Sequence, residues 1–315
     1  MRTRQLGKFD VRLTTLGLGT WAIGGPWQYG WGAQDDDESL RTILAAVEAG
    51  VNWIDTAPIY GCGHSESIVG RAVRGMTAKP LIATKCGLLW NEKRQKVNCL
   101  DFDSIIRECE DSLRRLGVET IDLYQMHWPQ PDAQIEEAWE AMARLVEQGK
   151  VRYLGVSNAT VQQIGRLQKV WPVSAVQPPY SMLRRDIEKD LLPYCKQHRI
   201  GVVCYSPMQK GLLTGKFTKE FIATLAADDH RRNDPMFNGA AFERYAKIVE
   251  ALRPVAQRSG KTLSQLAIAW TLRKEEVTAA IVGARKPKQI QETVAAGDWT
   301  LNTDDISDIE RILTQ

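Results

Sequence analysis

Residues 51–87, VNWIDTAPIYGCGHSESIVGRAVRGMTAKPLIATKCG, hold two short apolar runs, VNWIDTA (51–57) and PLIATKCG (80–87), on either side of an amphipathic stretch. Brief apolar runs separated by a helix-length segment are the mark of a βαβ unit and a parallel sheet. The pattern extends both ways. Upstream stands LTTLGLGT (13–20); downstream come IDLYQMH (121–127), VRYLGVSN (151–158), VSAVQPP (173–179), IGVVCYSP (200–207) and AAIVGA (279–284). The spacing between runs predicts helices, with Leu40, Ile43, Leu44 and Val47 on one apolar face and Trp139, Met142, Leu145 and Val146 on another. Eight such units over about 270 residues match one (β/α)8 barrel of the TIM type, whereas an open doubly wound sheet usually stops at about five to seven strands. The expectation is therefore an α/β fold with a single barrel domain over residues 1–315. Three segments stand outside the alternation: residues 2–12, expected to form a hairpin closing the barrel floor; a long loop after the seventh strand, 209–240; and a C-terminal amphipathic helix, 304–313.

Composition narrows the function classes. A net charge of +3 and a pI of about 8.5, with cations scattered among acids, argue against a nucleic-acid or anionic-membrane partner. No apolar run reaches the length of about 18 residues that a membrane helix needs, and MRTRQLGKFD has no apolar stretch of a secretory signal, so the expected location is the cytoplasm. Six dispersed cysteines, Cys62, Cys86, Cys99, Cys109, Cys195 and Cys204, form no CxxC pair and read as buried free thiols with no metal and no disulfide. Gly17-Leu-Gly-Thr-Trp-Ala22 satisfies the spacing of a dinucleotide fingerprint, but Gly24, Gly25 and Pro26 follow where a helix would have to begin.

Active sites of such barrels lie at the C-terminal ends of the strands. Asp55 closes the second predicted strand, Lys85 the third and His127 the fourth, and Tyr60 follows Asp55 within IDTAPIYG. Barrel closure points all four at one mouth. The chemistry this quartet suits is proton donation to a carbonyl oxygen as hydride reaches the carbon. A free phenol titrates near pH 10 and is a weak acid at neutrality, so the site is expected to lower it, with the Lys85 ammonium as the agent. Asp55 would keep Lys85 charged, and His127 would orient the carbonyl. A purely structural Asp–Lys ion pair is the competing reading.

GLGTWAIGG, IDTAPIYG, ATKCG, DLYQMHWP, GVSN, VQPPYS and GLLTGKF stand in one order along nearly the whole chain. In that order and spacing the sequence resembles the aldo-keto reductases, and within them the bacterial general-stress branch. The resemblance implies a catalytic tetrad of Asp55, Tyr60, Lys85 and His127, and NADPH lying extended across the barrel mouth. It implies that Ser157, Asn158 and Gln177 hold the carboxamide, and that Tyr205 stacks on the nicotinamide, with Ser206, Pro207, Met208 and Gly211 beside the cofactor. Ser157 and Asn158 read equally well as a helix N-cap. Thr20, Trp21 and Asp55 would approach the cofactor from the other side.

For the phosphates the resemblance implies Lys216, Gly283, Arg285, Gln289 and Glu292. The commonest family pattern has Lys-Ser where this chain reads Gly-Ala-Arg (283–285), so two cations compete for the 2′-phosphate. Arg285 comes first, because a guanidinium can grip phosphate bidentately, and Arg232 in the long loop second. Trp27, Tyr29, Trp31, Trp90 and Trp128 suggest an aromatic pocket for a small carbonyl substrate. The resemblance also admits a cofactor-binding regulatory subunit with little turnover, like the potassium-channel β-subunits. Oligomeric state is not legible.

Overall fold

The computed structural model describes residues 1–314. Strands β1 (Thr3–Gln5) and β2 (Arg12–Thr14) pair as an antiparallel hairpin. β3 (Leu16–Gly19) opens the barrel, followed by α1 (Asp36–Glu48), β4 (Trp53–Asp55), α2 (His64–Val73) and β5 (Leu81–Cys86). A second hairpin, β6 (Leu88–Trp90) with β7 (Lys96–Asn98), precedes α3 (Phe102–Leu116) and β8 (Ile121–Met126). The alternation continues through α4 (Ile135–Glu147), β9 (Val151–Ser157), α5 (Val161–Val170), β10 (Ala175–Gln177), α6 (Leu191–His198) and β11 (Gly201–Cys204). Helices α7 (Lys219–Ala223), α8 (Gly239–Arg258) and α9 (Leu263–Thr271) lead to β12 (Ala279–Gly283), then α10 (Pro287–Val294) and α11 (Thr303–Leu313). Strands β3, β4, β5, β8, β9, β10, β11 and β12 close into a parallel barrel, with β12 returning to β3 through Ile281 opposite Gly17.

Local chemistry sets the helix ends. Asp35 accepts from the Glu38 amide at 2.7 Å, and three acids in the first turn of α1 suit its positive end. Thr160 with Gln163, and Thr262 with Gln265, form reciprocal capping boxes for α5 and α9. Thr160 therefore starts α5, which frees Ser157 and Asn158 from the capping role their sequence also allowed.

Alternation along the strands builds the interior in layers. Leu6, Leu13, Trp53, Ala83, Leu123, Ala175, Val203, Ala279 and Ile281 form one apolar cluster, in which the hairpin residues Leu6 and Leu13 plug the floor. Trp53 fills much of this space and donates its indole N–H to Thr14 O at 3.0 Å. It fits because Gly17 faces it: a Cβ there would lie 2.1 Å from the indole. Gly17 thus makes room for a floor tryptophan. A 3-10 turn, Trp21–Ile23, follows β3, and α1 begins only at Asp36, so the GxGxxA spacing is no dinucleotide fingerprint.

Details depart from the sequence reading. The first apolar run divides at Thr15 between the floor hairpin and β3. Leu44 is 40% exposed, because the buried face of α1 runs through Thr42, Ile43, Ala45 and Ala46. Four cysteines are buried, but Cys62 and Cys99 are only half-buried, since both lie in loops near the rim. Among the described residues no helix is long and apolar enough to cross a membrane, and no cluster of three or more candidate metal ligands occurs.

One buried acid ties the outer layer to the barrel mouth. Glu108 of α3 accepts from the Gly87 amide at 2.9 Å, two residues beyond Lys85, and burial pushes its carboxyl up to about 7. A carboxyl raised on folding stabilises the fold fully below its unfolded value, and that contribution is lost as pH rises through about 7. Glu108→Gln keeps an acceptor for Gly87 and cannot ionise. Relative to wild type it is expected to gain up to about 3 kcal/mol between about pH 5 and about pH 8. Urea unfolding of both proteins at the two pH values checks this; a constant difference would show that Glu108 does not titrate in that window.

Candidate active site

Two residues beyond the apolar floor, six of the eight barrel strands turn polar, while β3 and β12 end in Gly19 and Gly283. Trp53 is followed inward by Asp55, Ala83 by Lys85, Leu123 by Gln125, Gly155 by Ser157, Ala175 by Gln177 and Val203 by Tyr205. The period of two makes this a single layer at the C-terminal ends, with Lys85 opposite Gln125 and Ser157 opposite Gln177. Lys85, fully buried, donates to Asp55 Oδ1 at 2.6 Å, to Thr56 O at 2.8 Å and to Tyr60 Oη at 3.3 Å. All three ammonium protons have acceptors, which is what allows a charge to persist there. Burial lowers the lysine and the Asp55 charge opposes that shift. Gln125 and Gln177 donate to Asp55 Oδ2 at 3.2 Å and 2.8 Å. The sequence reading missed Gln125; counting by twos from Leu123 would have found it.

Tyr60 rides on a tight turn after β4. Its neighbour Gly61 has φ +66°, and a Cβ there would lie 1.9 Å from Gly24 O, so glycine is needed for the loop after β3 to press against this turn. That contact brings Trp21 into a near-parallel stack on Tyr60, 6.2 Å between centroids, while His127 meets the phenol edge-on at 5.8 Å. The expected acidification is absent. Burial, reinforced by the Asp55 charge, pushes the phenol well above its ordinary value. Tyr60 therefore keeps its proton at neutrality and can release it only to a stronger base. Burial and the Lys85 and Lys96 charges push His127 well down, so its imidazole is neutral, and its Nδ1 has no partner among the described residues.

Around this core the carboxamide candidates form one network. Asn158, at φ +58°, donates to His127 O and Ser157 Oγ at 3.1 Å and 2.9 Å and accepts from Tyr205 Oη at 2.8 Å. Ser157 donates to Gln177 O at 2.9 Å. Thr20 bonds Asp55 O and the Ser65 hydroxyl. Strained backbone follows β11, where Ser206, Gln209, Lys210 and Gly211 all have positive φ around Pro207 and Met208.

The rim is held by a strap. Asp229 of the 209–240 loop pairs with Trp31, the His230 amide donates to Gly30 O, and the Arg231 guanidinium lies 4.1 Å from the Trp31 ring. His230 also stacks on Trp21, at 5.5 Å between centroids. Arg285 donates to Gln34 Oε1 at 2.6 Å, to Trp31 O at 3.0 Å and to Ala33 O, with no carboxylate in ion-pair range among the described residues. Gln289 accepts from the Arg285 and Lys286 amides, and Lys216 meets Glu292 at 3.8 Å. Exposed Arg232 donates to Leu225 O. Gly283 ends β12 with open space over its α-carbon, where a Cβ would meet only Gly19 O at 3.9 Å. The polar amide layer, this side-chain-free shelf and the Arg285 guanidinium two residues beyond it, bonded only to neutral oxygens, fit an extended nicotinamide dinucleotide.

The model of the Aldo/keto reductase family matches residues 15–314. The aldo-keto reductase YhdN of Bacillus subtilis is 41% identical over 99% of this chain and 94% of its own length. An NADH-specific methylglyoxal reductase of Escherichia coli is 35% identical over 97% of this chain and 96% of its own. Among solved structures, a glycerol dehydrogenase of Gluconobacter oxydans superposes with TM-score 0.89 at 41% identity, covering 99% of this chain and 95% of that one. An aldo-keto reductase of Bacillus halodurans in its holo form gives 0.82 at 27% identity, with 99% and 96% covered. With the family match running from the first barrel strand to the last helix, this protein belongs to the aldo/keto reductase family.

Proposed function

We propose that this protein, as one barrel domain over residues 1–315, reduces aldehydes or ketones to alcohols with NADPH, and that Tyr60 hands its proton to the carbonyl oxygen. The observation that carries the reading is Lys85 Nζ, held between Asp55 Oδ1 at 2.6 Å and Tyr60 Oη at 3.3 Å in a buried layer. When bound, the nicotinamide supplies the hydride that the carbonyl carbon receives. The carbonyl oxygen then becomes far more basic than a phenolate, so a phenol with a raised pKa still gives up its proton. As the Tyr60 O–H bond breaks, Lys85 stabilises the new phenolate with a charge-assisted hydrogen bond. Neutral His127 offers one ring N–H to orient the carbonyl, and the stack of Trp21 on Tyr60 keeps water from the phenol.

Ser157, Asn158, Gln177 and Tyr205 would hold the nicotinamide, and Gly283 would leave room for the dinucleotide backbone. Arg285 supports the NADPH preference: a half-buried guanidinium with only neutral partners would gain from a phosphate dianion. Arg232 is the second candidate. The relatives that reduce methylglyoxal and oxidise glycerol point to short, oxygen-rich substrates. The indole N–H groups of Trp27 and Trp31, buried without acceptors beside Trp21, suit such oxygens.

Purified protein mixed with NADPH or NADH and a panel of short hydroxylated, dicarbonyl and aromatic aldehydes tests the proposal. Oxidation of NADPH is expected; negligible oxidation of either coenzyme across the panel would leave a binding protein rather than a reductase. Arg285→Ala is expected to weaken NADPH by about tenfold or more and NADH by less than about twofold. Equal losses in a binding titration would remove Arg285 from the 2′-phosphate site.

A further inference from the structure

The hairpin of β6 and β7 inverts the polarity expected at a barrel rim. Leu88 pairs with Asn98 and Trp90 with Lys96, and residues opposite each other in an antiparallel ladder share a face. Leu88 is buried against Ala57, Ile59 and Tyr60, and Trp90 packs on the same cluster, so this face looks onto the site. Asn98 has the same aspect: its amide donates to Gln130, three residues beyond His127. Lys96 therefore projects toward the site and Val97 away from it. Val97 is 42% exposed, whereas Lys96 is partly buried. A one-residue slip would turn the valine inward and the ammonium out to water, the ordinary arrangement. The turn holds the register against that slip. The Asn91 amide donates to Gln95 O at 3.0 Å, the Gln95 amide to Asn91 Oδ1 at 2.9 Å, and the Lys96 amide to Gln28 Oε1 at 3.0 Å, beside Trp27.

The Lys96 ammonium makes no hydrogen bond or ion pair with any described residue, although its backbone is docked. Buried acids of the site and of the strap are already paired, Asp55 with Lys85 at 2.6 Å and Asp229 with Arg231 at 2.6 Å. The Lys96 charge nonetheless reaches the catalytic centre: burial first, then Lys85 and Lys96, keep His127 neutral. We infer that Lys96 binds an anionic group, carboxylate or phosphate, at the far end of a short carbonyl substrate whose oxygen meets Tyr60 and His127. The inference rests on the carbonyl-reductase reading above and narrows its substrates to short anionic aldehydes or ketones. One face of the hairpin then supplies two recognition elements, an apolar wall from Trp90 and a charge from Lys96.

Two matched pairs of aldehydes test it: 4-oxobutanoate against its methyl ester, and glyceraldehyde 3-phosphate against glyceraldehyde, each with saturating coenzyme. Wild type is expected to favour the anionic member of at least one pair by about tenfold in kcat/KM, the worth of a charge-assisted hydrogen bond at a partly exposed site. The preference should lie in KM and shrink with added salt. Lys96→Met is expected to bring the ratio to about twofold or less, and Lys96→Arg to keep at least about half of it. Lys93→Met, at an exposed position of the same turn, leaves the ratio unchanged. Affinity for 4-hydroxybutanoate or glycerol 3-phosphate, the products of the two anions, gives a readout without turnover; by tryptophan fluorescence Lys96→Met is expected to weaken it about tenfold. A preference in one pair alone supports the inference and names the anion. No preference in either pair, one that survives in Lys96→Met, or one lost equally in Lys93→Met would each overturn it. A wild type that oxidises no coenzyme with these four aldehydes or with the wider panel would instead overturn the reductase reading beneath it.

Discussion

Tyr60→Phe is expected to lower carbonyl turnover by about a thousandfold while changing coenzyme affinity by less than about twofold, within the range that a positioned general acid contributes. The selectivity follows from what the substitution leaves alone. The ring keeps its stack on Trp21, its edge contact with His127 and its place 5.1 Å from the Lys85 ammonium. Lys85 keeps Asp55 and the Thr56 carbonyl as acceptors and loses only the longest of its three hydrogen bonds. Nothing in the Ser157, Asn158 and Gln177 network touches the missing hydroxyl. Steady-state rates with the best aldehyde of the panel, beside fluorescence titration with coenzyme, separate the two quantities. Turnover near the wild-type value would mean that another group protonates the alkoxide, and the mechanism above would be wrong.

The apolar runs made the barrel legible because a parallel strand buried on both faces needs an unbroken apolar stretch, and eight of them fit few other arrangements. The site was legible where a charge interrupts such a run: Asp55 and Lys85 stand out because nothing else in VNWID or LIATK is ionisable. Gln125 escaped because an uncharged amide in IDLYQMH breaks no pattern, although strand alternation puts it in line with Lys85. The raised phenol escaped for a different reason. The sequence presents Lys85 as a nearby cation, but how far burial and Asp55 outweigh it depends on distances that only the folded barrel defines. The Arg285 contacts are equally non-local, since Gln34 and Arg285 are 251 residues apart in the chain.

Lys85→Met is expected to destabilise the fold by about 3 to 5 kcal/mol and also to abolish turnover, because it strands a buried carboxylate and removes the cation beside the phenol. Taken alone, that result fits either a structural ion pair or a catalytic one. The double variant Asp55→Asn/Lys85→Met separates them. The introduced asparagine carries no charge, and its oxygen still accepts from Gln125 and Gln177, the donors that met Asp55 Oδ2 at 3.2 Å and 2.8 Å. The double variant should therefore regain at least about half of the lost stability in denaturant unfolding, as neutral replacements of buried pairs do. Turnover should not return, since no ammonium then faces Tyr60 Oη at 3.3 Å to stabilise the phenolate. Recovery of rate in step with recovery of stability would make Asp55 and Lys85 scaffolding, and proton delivery would have to be sought elsewhere around the mouth.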